Sequence, residues 1–126
     1  MNKNILAIST GLFVLAIALG AFGAHGLKSL IEADQIYIFE VGVRYQFFTS
    51  LALMILAFNF YKLTFSLKWV LRLVGVGITM FSGSIYLLSL SDYIGISSKL
   101  IGPLTPVGGM LMITGWGIFI FKLVRS

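Results

Sequence analysis

The sequence predicts an all-α, polytopic membrane protein with four transmembrane helices and both termini in the cytoplasm. Of the 126 residues, 59% are apolar and only 10% are charged, which is too few charges to cover a water-soluble domain of this size. The chain also contains four long apolar stretches, and none alternates strictly between apolar and polar residues as a membrane strand would. A single membrane domain, residues 1–126, is therefore expected.

Four stretches are long enough, or nearly so, to cross a hydrocarbon core of about 30 Å, which takes roughly 20 helical residues. The first, residues 5–24, carries no charge and is longer than the core of a signal peptide, so we expect an uncleaved span. Residues 41–61 and 69–90 each contain one arginine near their start. The fourth, residues 106–121, is only about 24 Å long at ~1.5 Å per residue, so it needs help from its flanks to span.

The connection between the first two spans is predicted to contain a helix start. Ser29 and Glu32 have the spacing of a capping box, in which each side chain bonds the other residue's backbone amide. A helix from Ser29 to Tyr61 would be about 48 Å long at ~1.5 Å per residue, well over the membrane thickness. We therefore expect residues 29–40 to lie along the interface, or the helix to tilt or to bend near Gly42.

Charged residues are divided unequally between the two ends of the predicted helices. One end includes both termini and the 62–72 connection and carries six cations without an acid; the other carries three cations and all four acids. We call these the basic end and the acidic end. The positive-inside rule places the basic end in the cytoplasm, and we expect the cytoplasmic membrane as the location. Because the cations lie in separate short loops without interleaved aromatic residues, no nucleic-acid partner is expected.

The residue types also limit the chemistry. The chain has no cysteine and one histidine, which excludes disulfides, thiolate chemistry and a multi-histidine metal site within one chain, so no metal and no cofactor is predicted. No nucleophile elbow, phosphate loop or HExxH motif is present. Acid–base catalysis would need His25 within about 3 Å of Glu40, Asp92 or the substrate.

Polar residues that are unusual in a membrane gather at the acidic end. Arg44 lies about one turn inside the second span, where a guanidinium is costly unless it is paired or hydrated. Glu40 precedes it by four residues, the favourable order for a helical ion pair. The alternatives are a structural ion pair, snorkelling, or a site for an anion or lipid headgroup. The candidate binding cluster comprises eight residues: His25, Glu40, Arg44, Tyr45, Gln46, Ser84, Tyr86 and Asp92.

Small residues repeated along one helix face predict where helices approach closely in a membrane. Three such seams are expected, one each on the first, third and fourth helices: Ala16, Gly20 and Ala24; Gly75, Thr79 and Gly83; and Thr105, Gly109 and Gly117.

Four segments occur in a characteristic order: GAFGAHGLK at 20–28, FEVGVRYQ at 39–46, FSGSIYLLSL at 81–90 and GPLTPVGG at 102–109. Their order and spacing resemble the YgdD/YwdK family of small bacterial membrane proteins, which has a eukaryotic transmembrane relative. The resemblance covers almost the whole chain. It implies a four-span inner-membrane protein of unknown biochemical role and supplies no catalytic residues.

Three functions are compatible with these patterns. The expected one is a small, non-enzymatic integral membrane protein whose acidic-end cluster is structural or binds lipid headgroups, a second copy or another membrane protein. The alternative is a small transporter or transporter subunit, because the segment before the fourth helix is interrupted by glycine and proline. A membrane enzyme acting on lipid is the third reading.

Overall fold

The computed structural model describes all 126 residues and consists of helices joined by short turns. Four of the helices are long and apolar enough to cross a membrane, which confirms the predicted all-α class with four membrane helices. In chain order the helices are α1 (Lys3–His25), α2 (Ala33–Phe58), α3 (Lys68–Ser89), α4 (Ser91–Ile94), α5 (Ser98–Ile101) and α6 (Leu104–Arg125).

The start of α2 differs from the predicted start at Ser29. Residues Gly26–Ser29 form a 3-10 turn, in which the Ser29 hydroxyl donates to the carbonyl of Gly26 at 3.1 Å. Glu32 is the residue that caps α2, and its amide donates to Oε1 of Gln35 at 3.2 Å. The capping box therefore begins three residues later than predicted, with Glu32 as the cap and Gln35 as its partner.

Helix α2 is one continuous element of 26 residues, about 39 Å long at ~1.5 Å per residue. The predicted interfacial segment is thus divided: residues 30–32 are not helical, whereas residues 33–40 form the first turns of α2. Helix α6 has 22 residues, or about 33 Å at the same rise. Its flanks, residues 104–105 and 122–125, are helical and supply the length that residues 106–121 lack.

The long helices pack in chain order: α1 contacts α2, α2 contacts α3, and α3 contacts α6. Helices α2 and α3 are therefore central. In an apolar 18-residue stretch of each helix, 44% of the residues are buried in α2 and 39% in α3. The corresponding fractions are 11% for the span that contains α1 and 17% for the span that contains α6. This arrangement leaves a groove between α1 and α3 and another between α2 and α6.

The closest helix contact is between α3 and α6. A Cβ atom built on Gly108 would lie 2.5 Å from the amide nitrogen of Phe81, and one built on Gly115 would lie 2.8 Å from a methyl group of Val74. Gly77 faces the same contact from α3, where an added Cβ would lie 2.8 Å from the carbonyl oxygen of Gly108. These distances leave no room for side chains, so glycine permits the backbones to meet.

The predicted seams agree with this packing only in part. On α1, Ala16 is fully buried and Gly20 lies against Val43 of α2. On α3, in contrast, Gly75 and Gly83 have no neighbouring atom within 4 Å of an added Cβ. The predicted α3 seam was therefore wrong: it borders the groove between α1 and α3, and different glycines form the contact with α6.

Candidate functional site

A buried hydrogen-bond network joins the middle of α1 and α2 to the second half of α3. Gln46 of α2 is 4% exposed, and its amide nitrogen Nε2 donates to the carbonyl of Leu12 in α1 at 2.8 Å. Its Oε1 accepts from the hydroxyl of Tyr86 in α3 at 2.6 Å. Next to it, the hydroxyl of Ser82 donates to the carbonyl of Gly42 at 2.8 Å. We call these residues the interhelical network.

Ser84 belongs to a separate contact on the opposite side of α3. Its hydroxyl oxygen lies 2.6 Å from that of Thr105 in α6, and it also donates to the carbonyl of Phe81 in its own helix. Ser84 is 3% exposed. This hydrogen bond therefore fixes the start of α6 against the end of α3.

Asp92 lies on the surface of the acidic end. Its Oδ2 accepts from the side-chain amide of Gln35 at 2.9 Å, which joins α4 to the first turn of α2. Both residues line an open cavity of about 500 Å³ together with Lys28 and Glu32. The cavity is open, and its lining is mostly polar.

Arg44 and Glu40 are both exposed along α2 and form neither an ion pair nor a side-chain hydrogen bond. The Glu40–Arg44 ion pair, one of the alternatives for Arg44, is therefore not formed within the chain. Glu40 lines a second open cavity of about 440 Å³ with Lys28 and Tyr37. His25 is exposed at the end of α1 and makes no side-chain hydrogen bond.

Tyr45 faces the groove between α2 and α6. Its ring packs edge-on against Phe81 of α3 with a centroid distance of 4.9 Å. The groove has a cavity volume of about 320 Å³ and is otherwise lined mainly by apolar groups, including Met112 and Trp116.

The eight predicted residues thus do not converge on one cluster. The structure brings Gln46 and Tyr86 into direct contact, and it places the others in the separate surroundings described above. Sequence reasoning missed two hydrogen-bond partners of these residues, Gln35 and Thr105. Gln35 had a recognisable signal, because it stands three residues after an acidic cap; the contact of Thr105 with Ser84 depends on tertiary packing.

The buried polar side chains of this arrangement are fully hydrogen-bonded within the chain. Every buried side-chain nitrogen and oxygen atom has a hydrogen-bond partner, so the interhelical network offers no free group to a ligand. No group of three or more histidine, aspartate or glutamate side chains is placed to hold a metal ion. At the acidic end, exposed charges on α2 and in the 26–32 connection are free to bind a ligand.

Four apolar helices, packed in chain order and tied by buried hydrogen bonds, define a small multi-pass integral membrane protein. The family model described as "Protein of unknown function (DUF423)" matches residues 19–109, and the chain belongs to this family.

Relatives named as UPF0382 membrane proteins cover nearly the whole chain, which confirms the resemblance to the YwdK group. The protein YwdK of Bacillus subtilis is 35% identical over 114 residues, covering 89% of each chain. A relative from Staphylococcus aureus is 36% identical over 112 residues, covering 89% of this chain and 88% of its own. One from Schizosaccharomyces pombe is 36% identical over 114 residues, covering 90% and 92%, so the expected eukaryotic relative exists. No solved structure matches the chain.

Proposed function

We propose that the protein is a non-enzymatic lipid-binding membrane protein, and that the acidic end of α2 binds the headgroup of a zwitterionic aminophospholipid. The observation that carries the proposal is the exposed Arg44, a guanidinium on the outer surface of a membrane helix without a partner in the chain. A charge in this position is costly unless something outside the chain compensates it. A lipid phosphate is the anion available along that surface.

The depth of Arg44 supports a headgroup contact. A hydrocarbon layer of ~30 Å that begins at Phe58 ends about 20 residues earlier, near Ile38, which leaves Arg44 roughly 9 Å inside. Side chains on a helix lean toward its amino terminus, and the amino terminus of α2 is at the acidic end. The Arg44 side chain therefore extends toward the interface, where it can reach a phosphate by snorkelling.

The neighbouring charges favour a headgroup that carries both signs. Glu40 precedes Arg44 by one helical turn and is also exposed, so a phosphate at the arginine places an attached ammonium group near the carboxylate. Lys28 and Tyr37 border the same cavity as Glu40. Phosphatidylethanolamine has this combination of phosphate and ammonium, whereas phosphatidylglycerol lacks the ammonium.

The test compares lipid retention after purification of protein from vesicles that contain both lipids. Arg44→Gln is expected to lower retention of both about fivefold, since one cation near a lipid surface contributes ~1 kcal/mol. Glu40→Gln is expected to lower retention of phosphatidylethanolamine alone. Asp34→Asn removes another exposed acid of α2 and serves as the matched control, with no expected change.

Two outcomes would replace this proposal. If the wild type and Arg44→Gln retained equal amounts of phospholipid, Arg44 would not bind a headgroup and the exposed charges would have a structural role. Solute flux in proteoliposomes that Glu40→Gln abolishes would establish the transporter reading instead.

We further propose that both termini face the cytoplasm and that the protein resides in the cytoplasmic membrane, because six cations and no acid lie at the basic end. The chain has no native cysteine, so single cysteines can report the orientation. A membrane-impermeant maleimide added to intact cells should label Ser97→Cys and leave Ser126→Cys unlabelled. The reverse pattern would invert the topology.

A further inference from the structure

Two cavities lie end to end in the cleft between α1 and α3, with α2 as the floor. The one nearer the acidic end has a volume of about 310 Å³ and is bordered by Leu19 and Gly83. The one nearer the basic end has a volume of about 150 Å³ and is bordered by Ile5 and Gly75. Leu12 borders both, so the two cavities adjoin along the helices, and we call them together the α1–α3 groove.

The walls of the α1–α3 groove suit hydrocarbon. Leucine and isoleucine side chains of α1 form one wall, and the other wall is nearly bare backbone at Gly75 and Gly83, where an added Cβ would have no neighbour within 4 Å. The buried polar groups at the groove, on Gln46 of α2 and Ser82 of α3, are already hydrogen-bonded within the chain. A hydrocarbon occupant therefore leaves no buried polar group without a partner.

Two cations, Lys3 and Arg72, lie close in the sequence to residues that line the basic end of the groove. Arg72 is exposed and lies one turn from Gly75 toward the start of α3, and its guanidinium stacks 5.5 Å from the ring of Trp69. Lys3 is the first residue of α1. Because this end of the protein carries six cations and no acid, it is complementary to an anionic headgroup.

We propose that the α1–α3 groove holds an acyl chain of an anionic phospholipid from the leaflet at the basic end, and that Arg72 binds its phosphate. The same charges oppose a second copy as the occupant. Two copies in the same orientation would bring their cationic ends together without an acid to pair with, whereas a phosphate neutralises them.

The test uses Trp69 as a reporter in vesicles. The Trp116→Phe background leaves Trp69 as the single tryptophan, and phosphatidylglycerol brominated near the headgroup end of its acyl chains is the probe. We expect it to quench Trp69 at lower lipid fractions than brominated phosphatidylcholine does. Arg72→Gln should weaken this preference about fivefold, and Arg72→Lys should largely preserve it because the charge remains.

Substitutions that fill the groove test the acyl-chain contact separately from the charge. Gly75→Leu and Gly83→Leu place a side chain in open space, so the fold should tolerate them, and both should reduce the preference for the anionic probe. Gly11→Leu and Gly117→Leu are matched controls, because those glycines also have open space but lie outside the groove. The controls should bind as the Trp116→Phe background does.

Two results would overturn the proposal. The first is equal quenching by the two brominated lipids in the unsubstituted groove. The second is a change of oligomeric mass in Gly75→Leu and Gly83→Leu with the lipid preference intact, which would make the groove a surface for a second copy. The inference does not rest on the aminophospholipid site at the acidic end, because Arg44→Gln should leave quenching by the anionic probe unchanged.

Discussion

The contact between α3 and α6 allows a sharp test, because two adjacent glycines of α6 have opposite surroundings. An added Cβ at Gly108 would lie 2.5 Å from the amide nitrogen of Phe81 and 2.7 Å from the carbonyl oxygen of Gly77. At Gly109 the nearest atoms are ring carbons of Phe81 at 3.6 and 3.7 Å, which is ordinary van der Waals contact. Backbone atoms cannot rotate away as a side chain can, so Gly108→Ala must force the helices apart by about 1 Å.

The expected energies follow from these distances. Overpacking costs about 1–3 kcal/mol, and replacing glycine by alanine in a helix returns up to about 1 kcal/mol. We therefore expect Gly108→Ala to lower the free energy of unfolding by about 2 kcal/mol, whereas Gly109→Ala should leave it unchanged or raise it slightly.

Unfolding in mixed micelles with increasing dodecyl sulfate, followed by far-ultraviolet circular dichroism and by tryptophan fluorescence, measures both variants. The reasoning would be refuted if Gly108→Ala were as stable as Gly109→Ala.

Three further predictions use the same unfolding measurement. A double-mutant cycle of Gln46→Leu and Tyr86→Phe should give a coupling energy of about 0.6 kcal/mol, the average for hydrogen bonds between membrane helices, and at most about 1.7 kcal/mol. A coupling of zero would mean that the bond adds no stability. Gly42→Ala should lower the free energy of unfolding by about 1–3 kcal/mol, because the added Cβ would lie 2.7 Å from the Tyr86 ring. Gly83→Ala, where the added Cβ has open space, should leave the free energy of unfolding unchanged. Equal effects of the two substitutions would contradict the packing. Ser84→Ala should cost about 0.5–1.5 kcal/mol by removing the hydrogen bond to α6, and unchanged stability would indicate that this bond is dispensable.

The sequence predicted the four helices because their signal is local. An apolar run of about 20 residues needs no knowledge of its neighbours to be recognised. Helix ends were less accurate: the start of α2 moved from Ser29 to Ala33, since two overlapping capping patterns compete there and the choice depends on how residues 26–32 fold back. The length of α6 was underestimated because polar and basic residues at its flanks remain helical beyond the hydrocarbon layer.

The candidate site was harder to predict because its residues share an end of the molecule without sharing a surface. Gln46 and Tyr86, two members of the predicted cluster, form a direct hydrogen bond. Arg44, in contrast, lies on an outward face of α2, and Ser84 faces α6. Rotation of each helix about its axis decides these directions. In a membrane, the apolar face that would normally reveal that rotation is missing, since lipid and core are equally apolar.

By itself, therefore, the sequence determined that the chain lies in a membrane, how many of its helices can cross that membrane and at which end its acids gather, because hydropathy and charge are properties of short segments. Only the tertiary structure decided which glycines bring α3 and α6 together, which polar side chains pair, and which small residues are left facing an open groove. Several stripes of small residues satisfy the same spacing, and the one that forms a contact is selected by packing against residues distant in the chain.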